Sequence, residues 1–308
     1  MAQVLSLGVA TLDHVFLVKS LSAQPTKLRA FDYARVGGGM AATAAVAVAR
    51  LGGNAEFWGM LADDDRGREI VADLEAEGVR CGFIARGARV SPASAILVDE
   101  VGERMVCGYS DRAAFEHDAE LPLERVAQCD AVLADPRWRP AALRLFAAAR
   151  ARGIPSVLDA DIAQREFLRE LATAASHPVF SESALEILAE GSSIEQRLEA
   201  VARQVSGTIG VTLGPRGSLW WIEGRIERVP APEIKAIDTL GAGDVFHGAF
   251  ALALAEGKPV LDAARFATAA AALKCLRFGG RLGAPRRAEL EAYLAQAQAK
   301  TGDDSPVL

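Results

Sequence analysis

Hydrophobic residues from about residue 130 onwards fall into short apolar runs that alternate with longer stretches of helical spacing. The run "DAVLADP" precedes "PAALRLFAAARARG", and the run "PSVLDAD" precedes "IAQREFLRELATAA". Short apolar runs bounded by turn residues predict buried strands, whereas apolar residues that recur every three or four positions predict helices. Strands that alternate with helices indicate an α/β fold, in which helices cover both faces of a parallel sheet.

Two segments in the first half of the chain, at about 14–35 and 90–110, do not follow this alternation. Both are strand-like but richer in polar residues, and the second predicts a hairpin that turns at "DEVGE". We expect the two segments to form a small sheet that projects from the main domain and covers a cleft. The main domain is predicted to span residues 1–300, and the tail at 301–308 to be frayed.

Composition narrows the classes of partner. The chain has 308 residues, of which 51% are hydrophobic, so a sizeable core is expected. Its net charge of −6 argues against nucleic acid or a membrane surface as partner, since both favour a basic face. The four cysteines form no C-x-x-C pair, which argues against a zinc or redox motif. No apolar run approaches the ~20 residues of a membrane helix and no signal peptide is recognised, so we expect a cytoplasmic protein.

The stretch "DTLGAGDVFHGAF" at 238–250 places a glycine-rich turn between two aspartates and ahead of an apolar helix. In a parallel α/β domain, ligands bind where loops lead from strands into helices. Gly241 and Gly243 let the backbone come close to a ligand, and the amides of residues 240–243 would point at an anion. Asp244 would accept a proton, because the helix dipole favours its ionised form.

A carboxylate beside an anion-binding turn suits phosphoryl transfer. The carboxylate takes a proton from a hydroxyl while the amides stabilise the transferred group. These residues alone leave open the alternative that Asp238 and Asp244 are turn and helix-cap residues. A dinucleotide-dependent dehydrogenase is disfavoured, because the glycine run at 37–39 is not G-x-G-x-x-G with an acidic residue about 20 positions on.

The same stretch closely resembles the C-terminal signature of the PfkB, or ribokinase-like, carbohydrate kinases. Residues 36–67 resemble the N-terminal signature of that family, and "VTLGPRGSLWW" (211–221) resembles its nucleotide-side segment. The resemblance extends over residues 3–295. It implies a ribokinase-like, Rossmann-type central parallel sheet flanked by helices, with a small β-sheet lid. It also implies ATP and Mg²⁺ as cofactors, a sugar hydroxyl as acceptor, and a homodimer formed through the lid.

The resemblance implies catalytic and sugar-binding roles for matching residues. Asp244 would be the catalytic base. Asp13, expected at the end of the first strand, would bind sugar hydroxyls, since a carboxylate accepts two adjacent O–H donors. The anion hole would consist of the amides of Gly241, Ala242 and Gly243, and the backbone against the sugar would be that of Gly38 and Gly39.

The resemblance also implies a nucleotide side and a cation site. Asp238 lies in the segment that often holds a monovalent cation, so K⁺ is expected there, although a turn aspartate remains the alternative. The family's N-x-x-E motif is altered, because Ser181 and Ala184 take the places of Asn and Glu. Glu182 or Glu186 would then compensate, and Asp159 would have an indirect role for Mg²⁺. The alternative for Asp159 is a strand-end carboxylate without a ligand. Thr212, Gly214 and Gly217 would border ATP, and residues 272–280, with Lys274 and Gly279, would close the adenine pocket.

Within the family, the sequence looks most like the sulfofructose kinases, which phosphorylate the C1 hydroxyl of 6-deoxy-6-sulfofructose. The segments "VLADPRW" and "AALKCLRFGGRLGAP" carry this resemblance together with the two signatures. Lys27 and Arg137 match basic positions for the sulfonate, and Trp138 is expected to line the sugar site. The alternative is that Lys27 is a solvated lid residue and Arg137 a loop-end charge. Gly108 departs from the pattern, because an asparagine is expected there. The alternatives are a kinase for fructose 6-phosphate, fructose, ribose or a related sugar, and a non-catalytic sugar- or nucleotide-binding protein.

Overall fold

The computed structural model describes residues 1–205 and 207–302, with side chains described as far as residue 296. The described strands are β1 (Gln3–Gly8), β2 (Thr11–Val18), β3 (Ala30–Gly38), β4 (Asn54–Met60), β5 (Arg80–Ala85), β6 (Ala93–Val98), β7 (Arg104–Tyr109), β8 (Ala131–Ala134), β9 (Ser156–Ala160), β10 (His177–Ser181), β11 (Ile209–Thr212), β12 (Ser218–Ile222) and β13 (Arg225–Val229). The described helices are α1 (Met40–Arg50), α2 (Asp65–Ala76), α3 (Arg112–Glu116), α4 (Arg139–Arg152), α5 (Arg165–Ala174), α6 (Glu182–Leu188), α7 (Ile194–Ala202), α8 (Ala242–Ala255), α9 (Val260–Cys275) and α10 (Arg287–Gly302).

Nine strands form a large sheet in the order β13-β12-β11-β10-β9-β8-β1-β4-β5. Neighbouring strands from β11 to β5 run parallel, and the β12–β13 hairpin adds two antiparallel strands at one edge. The predicted α/β fold with a parallel sheet is therefore confirmed. This hairpin turns at the pair Glu223-Gly224, and both of these residues have positive φ, as a tight turn requires.

Helices cover both faces of this sheet, because side chains along each buried strand alternate between two apolar cores. In β1, Val4 packs into the core formed with α1, α8 and α9, whereas Leu5 and Leu7 pack into the core formed with α4, α5 and α7. On the first face, α8 lies against α1, with Gly248 on the backbone of Ala44. The glycine loops that precede these two helices consequently lie on one side of the molecule.

Four strands form a separate small sheet in the order β3-β2-β6-β7, and they overlap the predicted segments 14–35 and 90–110. Its inner side chains, including Val15 and Ile96, pack against Leu240 and Phe278. The small sheet therefore contacts the loop before α8 and the loop after α9.

One sequence expectation needs correction. The first strand ends at Gly8, so Asp13 lies in β2 and not at the end of β1. The chain leaves the large sheet at Gly8 and enters the small one at Thr11, which moves Asp13 into the small sheet. At the other end, residues 301 and 302 still belong to α10, and residues 303–308 of the predicted tail lie outside the described residues. Among the described helices, none has the length and apolar character that crossing a membrane requires.

Candidate active site

Asp244 lies in the first turn of α8, which begins directly after the glycine loop. Gly241 precedes the helix with a φ of 76°, a conformation that glycine adopts without steric cost. The Asp244 carboxylate is partly exposed, and it lies at the helix end where the dipole favours a negative charge. The position is therefore open to a reactant and still held by a rigid element.

The loop uses some of the amides that the sequence assigned to an anion hole. The amide of Leu240 donates to Asp238 Oδ1 at 2.8 Å, and that of Ala242 donates to the carbonyl of Thr239 at 3.2 Å. In the described part of the chain, the amide of Gly243 donates to no acceptor. A side chain at Gly243 would also meet no atom within 4 Å, so this residue faces open space. The amide of Ala242 is therefore already engaged within the loop, which removes it from the predicted anion hole.

His247 and Asp159 form a buried pair beneath this turn. The Nδ1 atom of His247 lies 2.7 Å from the carbonyl oxygen of Gly243 and 3.3 Å from Asp159 Oδ1. Its Nε2 atom lies 3.3 Å from the carbonyl oxygen of Val179. The imidazole thereby connects the first turn of α8 with β9 and β10. Asp159 Oδ2 is buried, and among the described residues it has no hydrogen-bond partner.

Burial is the largest cause of the pKa shifts of Asp159, Asp244 and His247. Desolvation raises the pKa of Asp159 well above its ordinary value, and the charges of Asp161 and Asp135 add to the effect. Desolvation likewise raises the pKa of Asp244, with a further contribution from Asp159, whereas His247 opposes the shift. Burial lowers the pKa of His247. A carboxylate whose pKa is raised towards neutral pH is a suitable proton acceptor for a hydroxyl.

A second carboxylate, that of Asp13, faces the glycine run at the hinge between β3 and α1. Its Oδ1 atom accepts hydrogen bonds from Thr11 Oγ1 at 2.6 Å and from Ser94 Oγ. Its Oδ2 atom accepts no hydrogen bond within the described part of the chain. A Cβ atom at Gly38 would come within 1.9 Å of that oxygen, so only a glycine leaves Oδ2 room. Gly39 then caps α1 directly beside it.

The sequence analysis did not single out Asp135, which holds this hinge together. Its buried carboxylate accepts hydrogen bonds from the amides of Val9 at 2.7 Å and Ala41 at 3.3 Å. It therefore joins the end of β1, the start of α1 and the end of β8. The signal available in the sequence was an aspartate directly after a predicted strand, next to a proline.

Arg137, Lys27 and Trp138, which were predicted to contact the sugar or its sulfonate, lie in different environments. Arg137 is half-exposed, and its guanidinium contacts the carbonyl of Ile162 at 3.0 Å and Asp161 Oδ2 at 3.4 Å. Lys27 is exposed in the loop between β2 and β3. Trp138 has 0% of its surface exposed and donates its indole N–H to the carbonyl of His117. Trp138 consequently offers no surface to a sugar in this structure.

The predicted nucleotide residues lie at the end of β11 and in the turn that follows. Thr212 ends the strand and donates through Oγ1 to the carbonyl of Phe180 at 3.4 Å. Gly214 and Gly217 begin and end the short turn before β12, both with positive φ. This turn adjoins the carboxyl end of β10, where the altered family motif lies.

Neither glutamate near that altered motif is free. Ser181 caps α6 by accepting from the amide of Ala184 at 3.2 Å. Glu182 pairs with Arg216, and Glu186 pairs with Arg197 at 2.9 Å. Both carboxylates expected to compensate for the missing motif are therefore engaged in ion pairs.

Asp238 and Lys274 form a buried unit behind the glycine loop. The Lys274 side chain is fully buried, and its Nζ atom donates to the carbonyl oxygen of Asp238 at 2.6 Å. Asp238 Oδ2 accepts from the amides of Gly279 and Gly280. Lys274 therefore points at Asp238, which corrects its expected place on the nucleotide surface. Arg104 of the small sheet, which the sequence analysis missed, donates to Thr239 Oγ1 at 2.5 Å in the same loop.

The chain is similar to a known protein family, to individual kinases and to a solved structure. The pattern described as "pfkB family carbohydrate kinase" matches residues 1–287. The chain is 30% identical to a ribokinase of Bacillus subtilis (strain 168) over 86% of this chain and 89% of that protein. It is also 30% identical to fructokinase-1 of Oryza sativa subsp. japonica over 96% and 98% of the two chains. A crystal structure titled as a putative ribokinase from Agrobacterium tumefaciens superposes with a TM-score of 0.92 at 40% identity, covering 97% of this chain and 99% of that one.

Proposed function

Because the chain belongs to the pfkB family of carbohydrate kinases, we propose that Asp244 takes the proton from the sugar hydroxyl that attacks the γ-phosphate of ATP. The chain is an ATP-dependent carbohydrate kinase of the ribokinase-like α/β fold. The dehydrogenase and the non-catalytic alternatives are therefore set aside. The observation that carries the proposal is the position of Asp244 beside the open amide of Gly243.

In the proposed step, the hydroxyl oxygen forms a bond to the γ-phosphorus as its proton moves to an Asp244 oxygen. The bond between the γ-phosphorus and the bridging oxygen breaks, and ADP leaves with the electron pair. The amide of Gly243, at the positive end of α8, stabilises the negative charge on the transferred group. The raised pKa of Asp244 supports its role, since it brings the acceptor closer to the pH at which it works.

Asp13 holds the sugar in this proposal. Its Oδ2 atom is the acceptor left over after Thr11 and Ser94 have bonded to Oδ1, so it is available to a sugar hydroxyl. Gly38 and Gly39 give the sugar its close approach to the backbone. At the end of β11, we propose that Thr212 and the turn bounded by Gly214 and Gly217 border ATP. We also propose that Gly279 closes the adenine pocket.

We also propose Mg²⁺ as the cation that accompanies ATP. The described residues contain no cluster of three His, Cys, Asp or Glu side chains that would hold a metal by itself. The unpartnered Asp159 Oδ2, which lies beneath the first turn of α8, suits a cation, and a cation would stabilise its ionised form. Mg²⁺ bound mainly by the phosphates, which neutralises their charge, fits these residues.

For the acceptor we propose 6-deoxy-6-sulfofructose, phosphorylated at its C1 hydroxyl. The sequence resemblance supports this choice, as does the half-exposed guanidinium of Arg137, whose 3.4 Å contact with Asp161 a sulfonate would replace. Lys27 would add a second positive charge from the small sheet. Gly108 leaves open space beside Ser94 where the resemblance predicts an asparagine. A neutral sugar such as ribose or fructose is the second candidate, favoured by the existing Arg137–Asp161 pair and by the names of the similar proteins.

The test is ATP turnover by the purified protein with Mg²⁺ and each of four sugars: 6-deoxy-6-sulfofructose, fructose 6-phosphate, fructose and ribose. We expect the highest kcat/KM with the sulfonated sugar, and we expect Arg137→Ala to lower that value while sparing fructose and ribose. Equal loss with charged and neutral sugars would contradict an anion pocket at Arg137. Turnover of a neutral sugar alone would leave the kinase roles in place and replace the proposed acceptor.

We further propose that two copies associate through the outer face of the small sheet. Phe16, Tyr33, Leu97 and Met105 form one row across the four strands, since they are register partners. Tyr33 and Met105 are 50% and 45% exposed, which is unusual for apolar side chains on a sheet without a partner. Light scattering should give the mass of a dimer, and Met105→Glu should give that of a monomer. A monomeric wild-type protein at micromolar concentration would contradict this interface.

A further inference from the structure

Lys274 is a buried basic residue, and the burial of an ammonium group is energetically unfavourable. It lies in the last turn of α9, and its side chain has 0% of its surface exposed. Burial lowers the pKa of Lys274, and the carboxylate of Asp238 opposes that shift. A buried ammonium is retained only where acceptors replace its water. The main-chain oxygen of Asp238 at 2.6 Å and its Oδ2 atom at 3.2 Å are those acceptors.

The Oδ2 atom of Asp238 has no acceptor position left for a metal ion, and Oδ1 has one left. A carboxylate offers about four acceptor positions. The amide of Leu240 takes one on Oδ1, the amides of Gly279 and Gly280 take two on Oδ2, and Lys274 Nζ also contacts Oδ2. The main-chain oxygen, which would be a further ligand for a monovalent cation, already accepts from Nζ. A monovalent cation on the remaining Oδ1 position would share the carboxylate with the buried ammonium of Lys274 and be repelled by it. The residues around Asp238 therefore do not fit the K⁺ expected from the sequence resemblance.

We propose that the ammonium of Lys274 is a built-in counter-ion that replaces an external monovalent cation and positions the catalytic loop. The loop from Asp238 to Gly241 leads directly into the helix that carries Asp244, so a charge that fixes Asp238 fixes the start of α8. The end of α9 reinforces the arrangement, because the carbonyl of Cys275 accepts from the amides of Ile237 and Asp238. Lys274 is thus a positioning residue, and it touches neither sugar nor ATP.

This inference rests on the proposed role of Asp244 for its effect on turnover, but its effect on cation binding can be tested without a substrate. The melting temperature of the wild-type protein is compared in KCl, NH₄Cl and choline chloride at equal ionic strength. A cation that binds only the folded state stabilises it by RT ln(1 + L/Kd), where L is the free cation concentration, so the melting temperature rises with the concentration of that cation. We expect no difference among the three salts for the wild-type protein. A higher melting temperature in KCl would overturn the proposal, whatever the kinase assay shows.

Lys274→Met keeps most of the apolar stem and removes the charge. We expect this variant to melt at a lower temperature in choline chloride and to recover part of the loss in KCl or NH₄Cl. We expect kcat to fall at least tenfold in choline chloride and to recover severalfold with either cation, while the KM for ATP changes little. A variant that is equally impaired in all three salts would show that the lysine has only a packing role, and this would also contradict the proposal.

The matched control is Lys258→Met. Lys258 is exposed in the loop between α8 and α9, and its side chain has no partner in the described part of the chain. The substitution should change neither the melting temperature nor its response to the three salts. If Lys274→Met does not fold, the salt response of the wild-type protein and its turnover in K⁺-free buffer still decide the question, since both must be independent of K⁺.

Discussion

The carboxylate of Asp159 and the imidazole of His247 meet beneath the first turn of α8, with Asp159 Oδ1 3.3 Å from His247 Nδ1. His247 also contacts the carbonyl of Gly243, so the pair supports the turn that carries Asp244 from below. Asp159 and His247 are buried, and the partly exposed Asp244 lies in the turn above them, so these three groups influence one another's protonation. The pH dependence of both activity and stability should therefore report on this group.

Asp244→Asn should lower kcat by about 10²- to 10⁴-fold, because it removes the proton acceptor while keeping the shape of the side chain. The affinity for ATP, measured by calorimetry, should stay within a few-fold of the wild-type value. The matched control is Asp262→Asn, since Asp262 is also the third residue of a helix but lies exposed on α9. Near-normal turnover in Asp244→Asn would remove Asp244 from the proposed role.

The kcat/KM of the kinase should fall on the acid side at a pH well above the ordinary range of aspartates. Asp244 works only when deprotonated, and burial together with the charge of Asp159 raises its pKa. Asp159→Asn removes that charge, so the acid limb should move to lower pH in this variant when Mg²⁺ is saturating for both proteins. The measurement is a profile of kcat/KM from about pH 5 to 9 for both proteins. An unshifted acid limb would mean that Asp159 does not act on the titrating group.

Asp159→Asn should also make the protein more stable at neutral and basic pH. The pKa of Asp159 is raised in the folded state, so the folded state binds this proton more tightly than the unfolded chain. The stability of the wild-type protein consequently falls as the pH rises from the unfolded pKa of 3.8 through the raised folded value. Each unit of that shift corresponds to about 1.4 kcal/mol.

The test of this stability prediction is urea unfolding of both proteins at several pH values. The advantage of Asp159→Asn should be largest at high pH and should vanish below the unfolded pKa of 3.8, where the wild-type carboxyl group is protonated in both states. Asparagine keeps the oxygen that faces His247, so the packing should survive. An advantage that does not depend on pH would point to a cause other than the ionisation of Asp159.

Gly38→Ala should raise the KM for the sugar about tenfold or more and leave the KM for ATP unchanged. Its Cβ atom would come within 1.9 Å of Asp13 Oδ2 and displace the carboxylate from its position. A lost hydrogen bond to a charged group is worth about 1.5–3 kcal/mol, which sets this magnitude. Asp13→Asn should change the same constant, and Asp32→Asn, at an exposed position of β3, should change neither. Steady-state kinetics with each substrate varied in turn would reveal any contrary pattern.

The local pattern of the chain was sufficient to locate the elements that build the site. Glycines at 241 and 243 ahead of an apolar run predicted the helix that begins at Ala242, because a positive φ and a helix N-terminus leave a signature in adjacent residues. The hairpin between β6 and β7 was predicted from the turn "DEVGE", which is also a signature of adjacent residues. Asp13 was assigned to the wrong strand, since the crossing from one sheet to the other at residues 9–10 uses apolar residues that continue the pattern of β1.

The sequence by itself determined the α/β order, the glycine loop and Asp244, because each follows from residues that are neighbours along the chain. The tertiary structure alone decided which distant groups meet. It placed Lys274 on Asp238, 36 positions away, and His247 beside Asp159, and it buried Trp138 under α3. These outcomes depend on how the helices pack on the sheet. The periodicity of a single helix does not specify which of its charged side chains will be buried, or which group will pair with the buried charge.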